Sequence, residues 1–490
     1  MLLGIGLHAA LSFYPTVWPV QDITADADGF FDEFVLFVHG FRMPLFFLLS
    51  GFFAALLWKR RGLPALLGHR LRRVVVPFIL ALVLIVPTVD WVSERAVEEQ
   101  IIADGDIHAA VFLGNRGATE ALLAAGTDAN AFDAEGAYTP LFLAAVNGDV
   151  DMVELLLAAG AEPDLATADG LAIDAAAFMG REAAADALLA AGARDPRPPG
   201  RSWQELEWWG LGAGQVELEV EEAGPGAWLP SLHHLWFLWF LILFVIGFAP
   251  LAWLADRRAA QRGPDAPAAR WPGWLMWALV PAVVLPQLAM EGGGAIPAFG
   301  PDTSIGWVPL PQVFAYYALF FAFGVLMYGR AGRSGTLMVD SVGGRWWLIL
   351  PLAVVVFVVG LAVTFEEGAD TEPLASSLQV AYAWLMIFGL MGLFRAILST
   401  ERHGVRYLSD SSYWMYLAHL TLVIWLQSVV RASDLPAAVK FAIILLAASS
   451  LLLASYQLFV RYTPIGTLLN GKRTRPSRAA RTGTSVAEAG

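Results

Sequence analysis

The chain has no cysteine, which excludes disulfides, thiolate catalysis and cysteine-held metal while leaving the redox compartment open. Charge is scarce too: only 15% of the 490 residues are charged, against 57% hydrophobic, with 30 Phe and 19 Trp. Soluble domains carry about 25% charged residues. The composition is therefore that of a polytopic membrane protein whose helices mostly face lipid. The formal charge of −13 comes from acids that fall mainly between the apolar runs, so it reads as solvated surface and disfavours nucleic-acid binding. At the N-terminus there is neither a basic leader nor a small-residue cleavage site, so a first membrane helix is expected rather than a cleaved signal. Its apolar stretch starts at Met1, which leads us to expect that the helix begins short of its natural start.

Runs long enough to cross a bilayer occur near 1–19, 34–58, 74–93, 232–256, 272–292, 311–329, 346–365, 376–399, 410–431 and 436–460. The expected fold is all-α, a polytopic membrane protein of about ten transmembrane helices with an inserted helical repeat domain. Basic residues orient the spans. Lys59, Arg60, Arg61, Arg70, Arg72 and Arg73 follow span two; Arg257, Arg258, Arg262 and Arg270 follow span four; Arg330, Arg333 and Arg345 follow span six. Arg395, Arg402 and Arg406 follow span eight, and Arg461, Lys472, Arg473, Arg475, Arg478 and Arg481 lie in the tail. The alternate connections are acidic or neutral, with Asp22, Asp26, Asp28, Asp32 and Glu33 in the first, the Gly-rich 291–306, and Glu366, Glu367, Asp370 and Glu372. Both termini are thus expected in the cytoplasm.

Between spans three and four lies a polar excursion with an internal period. LLAAG recurs at Leu122–Gly126, Leu156–Gly160 and Leu188–Gly192, Gly114, Gly148 and Gly180 follow the same intervals, and Thr139-Pro140-Leu141 opens the middle copy. This resembles the ankyrin repeat over 105–195, and three copies suffice to bury a continuous core. The insertion is either a stably folded block or a surface for a protein partner, and the charge pattern puts it on the outer, periplasmic side. The expected organisation is a membrane domain over 1–93, repeats over 105–195, a linker over 196–231, a second membrane part over 232–462 and a tail over 463–490. Trp203, Trp208 and Trp209 of the linker are expected at the membrane interface, and the tail after Pro476 is expected to be disordered.

Polar side chains within spans must be paired or line a wet cavity. They are His8 in span one, His39 and Arg42 in span two, His233 and His234 at the outer start of span four, and His419 midway along span nine. Histidine takes and returns protons near neutral pH. His8, Arg42, His234 and His419 are the catalytic candidates, lining one outward-open cavity if their spans meet. The plain alternatives are helix-to-helix hydrogen bonding for the histidines and an interfacial, snorkelling anchor for Arg42. Arg70 and Arg73, three residues apart ahead of Pro77, would share a helix face and clamp phosphates, although positive-inside charge alone also explains them.

His8, FRMPLFFLLSGFF at 41–53, Arg70-x-x-Arg73 with Pro77, HLWFLWFL at 234–241, SYWMYLAHL at 412–420 and VRYTPIGTLLNGKR at 460–473 together resemble the membrane-embedded acyltransferase 3 family. Within it the similarity is greatest to the periplasmic glucan-modifying, glucan succinyltransferase-like branch. The resemblance spans nearly all the membrane portion, with the ankyrin-like block as an insertion. It implies transfer of an acetyl or succinyl group from cytoplasmic acyl-CoA to a hydroxyl of a periplasmic glycan, in the bacterial inner membrane and without a metal. On that pattern His8 is the general base, and Arg70 and Arg73 hold the CoA phosphates. The family's arginine ahead of the span-one histidine would lie upstream of Met1. Near the developing oxyanion Arg42 is the nearest cation. The alternative function is a non-catalytic, membrane-anchored recognition or scaffold protein built around the repeats. A transporter lacks support, since no repeat symmetry or paired broken helices are evident among the spans.

Overall fold

The computed structural model describes residues 1–14, 18–24, 29–197, 199, 201–203, 231–262, 273–290, 299–329, 342–366, 371–400, 402–471 and 473. Asp26, Asp28, Trp208, Trp209, Arg270, Arg330, Arg333, Glu367, Asp370, Lys472, the Gly-rich 291–298 and the tail after Pro476 lie outside the described residues. The described residues form two units, Met1–Trp91 with Ala223–Gly490, and Val92–Glu222.

All regular structure among the described residues is helical. Residues 1–104 form α1 (Leu2–Ala10, continued by a 3-10 turn to Phe13), α2 (Phe30–Arg61), α3 (Leu63–Arg70), a π-helical turn over Leu71–Val75, α4 (Val76–Leu84) and α5 (Val86–Asp104). After the six helices of the second unit, α6 to α11 between Ile107 and Ala190, come α12 (Trp236–Arg262), α13 (Gly273–Ala282), α14 (Val284–Leu288) and α15 (Pro311–Gly329). Then follow α16 (Trp346–Thr364), α17 (Glu372–Ile397), α18 (His403–Arg431), α19 (Ala437–Ser455) and the short α20 (Pro464–Asn470).

Among the described residues eight helical segments are long and apolar enough to cross a bilayer, and two expected spans are shorter, Leu2–Phe13 and Trp274–Leu288. The second of these is interrupted between α13 and α14, where Pro281 and Pro286 each remove a helical N–H. In α1 the helix gives way to the 3-10 turn before Tyr14, so the expected run to residue 19 is not one helix.

In lipid, helices associate by close packing rather than by hydrophobic burial, so small residues mark the tightest crossings. The crossing of α2 and α15 is of this kind. A Cβ built on Gly51 would meet Phe321 O at 2.0 Å, and one on Gly324 would meet Leu48 O at 1.9 Å. Around that crossing Phe47 sits at the centre of an aromatic cluster with Phe237, Phe244 and Tyr317, and is itself fully buried. Leu48 and Gly51 of FRMPLFFLLSGFF therefore set how closely the helix carrying Arg42 approaches its neighbour.

In the second unit three helix pairs stack: α6 (Ile107–Phe112) with α7 (Arg116–Ala124), α8 (Pro140–Asn147) with α9 (Val150–Ala158), and α10 (Ala172–Phe178) with α11 (Glu182–Ala190). The glycines at the recurring turns, Gly114, Gly148 and Gly180, have φ of 65, 73 and 67°, a left-handed conformation that Gly adopts without steric cost. Thr139 caps α8 through Phe142 N, as the Thr-Pro-Leu signature requires. Asn130 ties neighbouring repeats by donating to Gly160 O at 3.1 Å and accepting from Glu162 N at 2.7 Å. Trp203, expected at the membrane interface, has a place in the repeat core instead. It is buried in the repeat core, where its Nε1 donates to Asp186 Oδ1 at 2.9 Å and the Arg197 guanidinium lies over its ring. An amphipathic indole suits the end of a helical stack as well as a lipid headgroup region.

Candidate active site

Tyr413, Tyr416 and His419 recur every third residue along α18, so they project from neighbouring positions on one side of the helix. Each reaches a different element. Tyr413 donates its hydroxyl to Arg73 O at 2.8 Å, Tyr416 donates to His234 O at 2.6 Å, and His419 Nε2 lies 2.9 Å from His8 Nδ1. The SYWMYLAHL motif is thus the place where α1, the start of α12 and the turn after α3 are brought together.

These contacts fix the proton positions. His419 Nδ1 faces Tyr416 O at 2.8 Å, and a carbonyl only accepts, so that nitrogen carries the hydrogen. In neutral His419 the other nitrogen, Nε2, is then an acceptor. It must receive its hydrogen from His8 Nδ1, which leaves His8 Nε2 with a free lone pair. The same reasoning assigns His234: its Nε2 faces Leu417 O at 3.1 Å and carries hydrogen, so Nδ1 holds the lone pair, buried and without a hydrogen-bond partner.

Arg42 completes the group. It stands about 18 Å along α2 from Phe30, at 1.5 Å per residue. Gly4, one helical turn before His8, lets it approach α1: a Cβ there would lie 3.4 Å from Arg42 Nη1. Arg42 Nε is buried with no hydrogen-bond partner. The guanidinium thus sits against α1, inside the helical bundle. His8, Arg42, His234 and His419 all line one cavity of about 210 Å³, walled otherwise mainly by apolar groups such as Met43, Phe46, Phe237 and Leu238. One guanidinium and three imidazoles, those of Arg42, His8, His234 and His419, are therefore gathered around a largely apolar chamber. Such a set suits a reacting hydroxyl and a carbonyl oxygen that gains charge.

His39 and His233 are placed differently. His39 Nε2 donates to Pro301 O at 2.8 Å, and His233 Nε2 pairs with Asp90 Oδ1 at 2.6 Å; neither lines the cavity. Arg70 and Arg73 do not share one regular α-helical face, because the π-helical turn Leu71–Val75 intervenes and its larger number of residues per turn carries the two side chains further apart around the axis. Arg70 Nη2 points to Ser50 O at 3.4 Å, with its Nε buried and unpartnered, whereas Arg73 Nη1 donates to Leu469 O of α20 at 3.1 Å. They lie outside the cavity lining, but Tyr413, which does line it, is bonded to the Arg73 backbone.

Sequence reasoning missed Gln427, whose Nε2 donates to His8 O at 2.9 Å and Ala9 O at 3.3 Å. The signal was available, because an amide inside an apolar span obeys the same rule as an imidazole. Among the described residues no group of three or more His, Asp or Glu is placed to hold a metal.

Comparison with known proteins gives two family matches. An acyltransferase domain, acyltransferase 3, matches residues 1–105 and 187–457, and a three-copy ankyrin-repeat model matches 107–197. Glucans biosynthesis protein C from Escherichia coli strains SMS-3-5 and K12 is 35% identical over 85 residues, 17% of this chain. That alignment covers 22% of the length of those relatives. With the family model spanning most of its length, the chain belongs to the acyltransferase 3 family of membrane acyltransferases and carries an ankyrin-repeat insertion.

Proposed function

We propose that the protein is an O-acyltransferase of the bacterial inner membrane that moves an acetyl or succinyl group from cytoplasmic acyl-CoA to a hydroxyl of an extracytoplasmic glycan. The observation that carries this reading is the cavity in which His8 Nε2 is left bare by the His419 contact, beside the unpartnered Nε of Arg42. The glycan acceptor rests on the resemblance to the glucan-modifying branch. The partial match to glucans biosynthesis protein C supports it.

In the reaction the acceptor hydroxyl gives its proton to His8 Nε2 as its oxygen attacks the thioester carbonyl. The carbonyl oxygen becomes an oxyanion and accepts from the Arg42 guanidinium, a stabilisation realised in the transition state. Collapse forms the ester and breaks the carbon–sulfur bond, and the proton held on His8 passes to the departing CoA thiolate. His419 keeps the His8 tautomer throughout, and His234 Nδ1 accepts from a second donor of the substrate or a water. Arg70 and Arg73 hold the CoA phosphates at the cytoplasmic rim. The charge pattern of the loops supports cytoplasmic termini and a periplasmic repeat insertion. The repeats offer a surface for a protein partner, and the membrane domain is assigned to 1–93 and 232–462.

His8→Ala tests the reading: with the protein still folded in the membrane, glycan acylation from acetyl-CoA or succinyl-CoA should vanish. Retained transfer would remove His8 from the mechanism.

A further inference from the structure

His8 is held on more sides than its partner His419 accounts for. The Trp18 indole stacks on the imidazole, with ring centroids 5.8 Å apart and planes within 8°. Its Nε1 donates to Gln427 Oε1 at 2.9 Å. Gln427, 1% exposed, turns its amide nitrogen to the His8 and Ala9 carbonyls. Those carbonyls lie in the last turn of α1, where backbone acceptors lack helical partners. One amide thus caps the helix that carries His8 and anchors the ring that covers it.

The strap bearing Trp18, residues 18–24, is itself locked. Asp22 N donates to Ser12 O at 2.8 Å. The Asp22 carboxylate accepts from Lys440 Nζ at 2.9 and 3.0 Å and from the Thr24 backbone and hydroxyl at 2.9 and 2.7 Å. Lys440, fully buried on α19, sends a further hydrogen to Arg431 O at 2.8 Å, and Arg431 Nε donates to Gln21 O at 2.7 Å. A buried ion pair adds little stability over an apolar pair of the same shape, but it fixes geometry through directional bonds. Here the geometry it fixes is that of the chain three and four residues beyond Trp18.

We propose that Trp18 and Gln427 are positioning residues for His8, and that the Asp22–Lys440 pair locks the strap that presents Trp18. The proposal rests on His8 acting as the general base. Stacking fixes the plane of the imidazole, and the His419 contact fixes its rotation within that plane, so together they aim Nε2 at one point.

The test uses the full chain in proteoliposomes, with acetyl-CoA or succinyl-CoA as donor and a glucan oligosaccharide as acceptor. Trp18→Ala should lower kcat by about 100-fold, the scale of a small misplacement of a reacting group, with KM for both substrates unchanged. Trp18→Phe, which keeps the stack and loses the Nε1 bond, should recover most of that loss. Gln427→Leu and Lys440→Met should reproduce the kcat defect. Unchanged kcat in Trp18→Ala, or a rise confined to the acceptor KM, would overturn the proposal. A readout independent of transfer is the rate at which diethyl pyrocarbonate modifies His8, followed by mass spectrometry. Trp18→Ala and Gln427→Leu should raise it several-fold while leaving His39 as it was, and equal His8 rates in wild type and both variants would refute the positioning role. If the wild type transfers from neither donor, the proposed function fails, whereas the His8 modification rates still decide whether Trp18 and Gln427 hold the ring. Should any variant be lost from the membrane, Trp18→Phe against Trp18→Leu, close in volume, carries the same comparison.

Discussion

His419→Phe isolates the tautomer argument, because phenylalanine fills nearly the same space without a lone pair. His8 Nδ1 then loses the acceptor at 2.9 Å, and the site has two ways to respond. Either the Nδ1–H stays buried and unsatisfied, at a cost of about 1–3 kcal/mol, or the proton moves to Nε2 and the base is disabled. In both cases the competent form is disfavoured by about that amount, which at ~1.36 kcal/mol per tenfold lowers kcat roughly 5- to 160-fold. His8→Ala removes the base itself and should cost more, about 10²- to 10⁴-fold. His419→Gln offers His8 an amide oxygen and should fall between wild type and His419→Phe. Acid should mimic His419→Phe, since protonated His419 presents a donor to a donor. The assay is initial-rate transfer of radiolabelled acyl groups to glycan at saturating donor in membrane vesicles, normalised to protein. Equal losses in the Gln and Phe variants, or an unchanged kcat in His419→Phe, would refute the assignment of the lone pair to His8 Nε2.

Arg42→Met should lower kcat by about 10²- to 10³-fold, as loss of an oxyanion donor does, yet leave the melting temperature equal or higher, because its Nε has no partner to lose. A melting temperature that falls with activity would make Arg42 structural. Arg70→Ala should weaken binding of a CoA thioester to the purified protein, measured calorimetrically. Arg73→Ala should in addition speed amide exchange in α20, since its guanidinium holds Leu469 O. Gly324→Ala places a Cβ 1.9 Å from Leu48 O, so α2 and α15 must separate. Overpacking costs about 1–3 kcal/mol, and a lowered thermal transition in detergent should record it.

The architecture was legible because span length and the 34- and 32-residue repeat intervals are properties of the chain alone. Two spans came out short for local reasons, the prolines near α14 and the 3-10 turn after α1, which average hydropathy does not register. The four cavity residues were legible too, because His8, Arg42, His234 and His419 are polar groups in apolar helices. Their roles were not, since the lone pair on His8 depends on a carbonyl three residues before His419. Arg70 and Arg73 were expected on one face because an α-helix was assumed, and the π turn between them has no counterpart in residue spacing. In the sequence Asp22 stands in an acidic connection and Lys440 inside the last apolar run, 436–460. Neither pattern reveals that the two are bonded to each other 418 positions apart.

The motif SYWMYLAHL shows what a conspicuous sequence feature can specify beyond chemistry. Tyr413, Tyr416 and His419 bind the backbone of Arg73, the backbone of His234 and the side chain of His8, three partners that approach α18 from different helices. A slip of one residue in α18 would turn the stripe by about 100° and break all three bonds together. The same helix carries Gln427 toward α1, roughly two turns beyond His419. Register errors are therefore penalised at four points by polar groups that have few alternatives in a lipid-surrounded bundle. In this way α18 aligns the arginine-bearing turn after α3, the start of α12 and the helix of His8 at once. The tyrosines are thus as necessary to the geometry of His8 as the histidine that touches it.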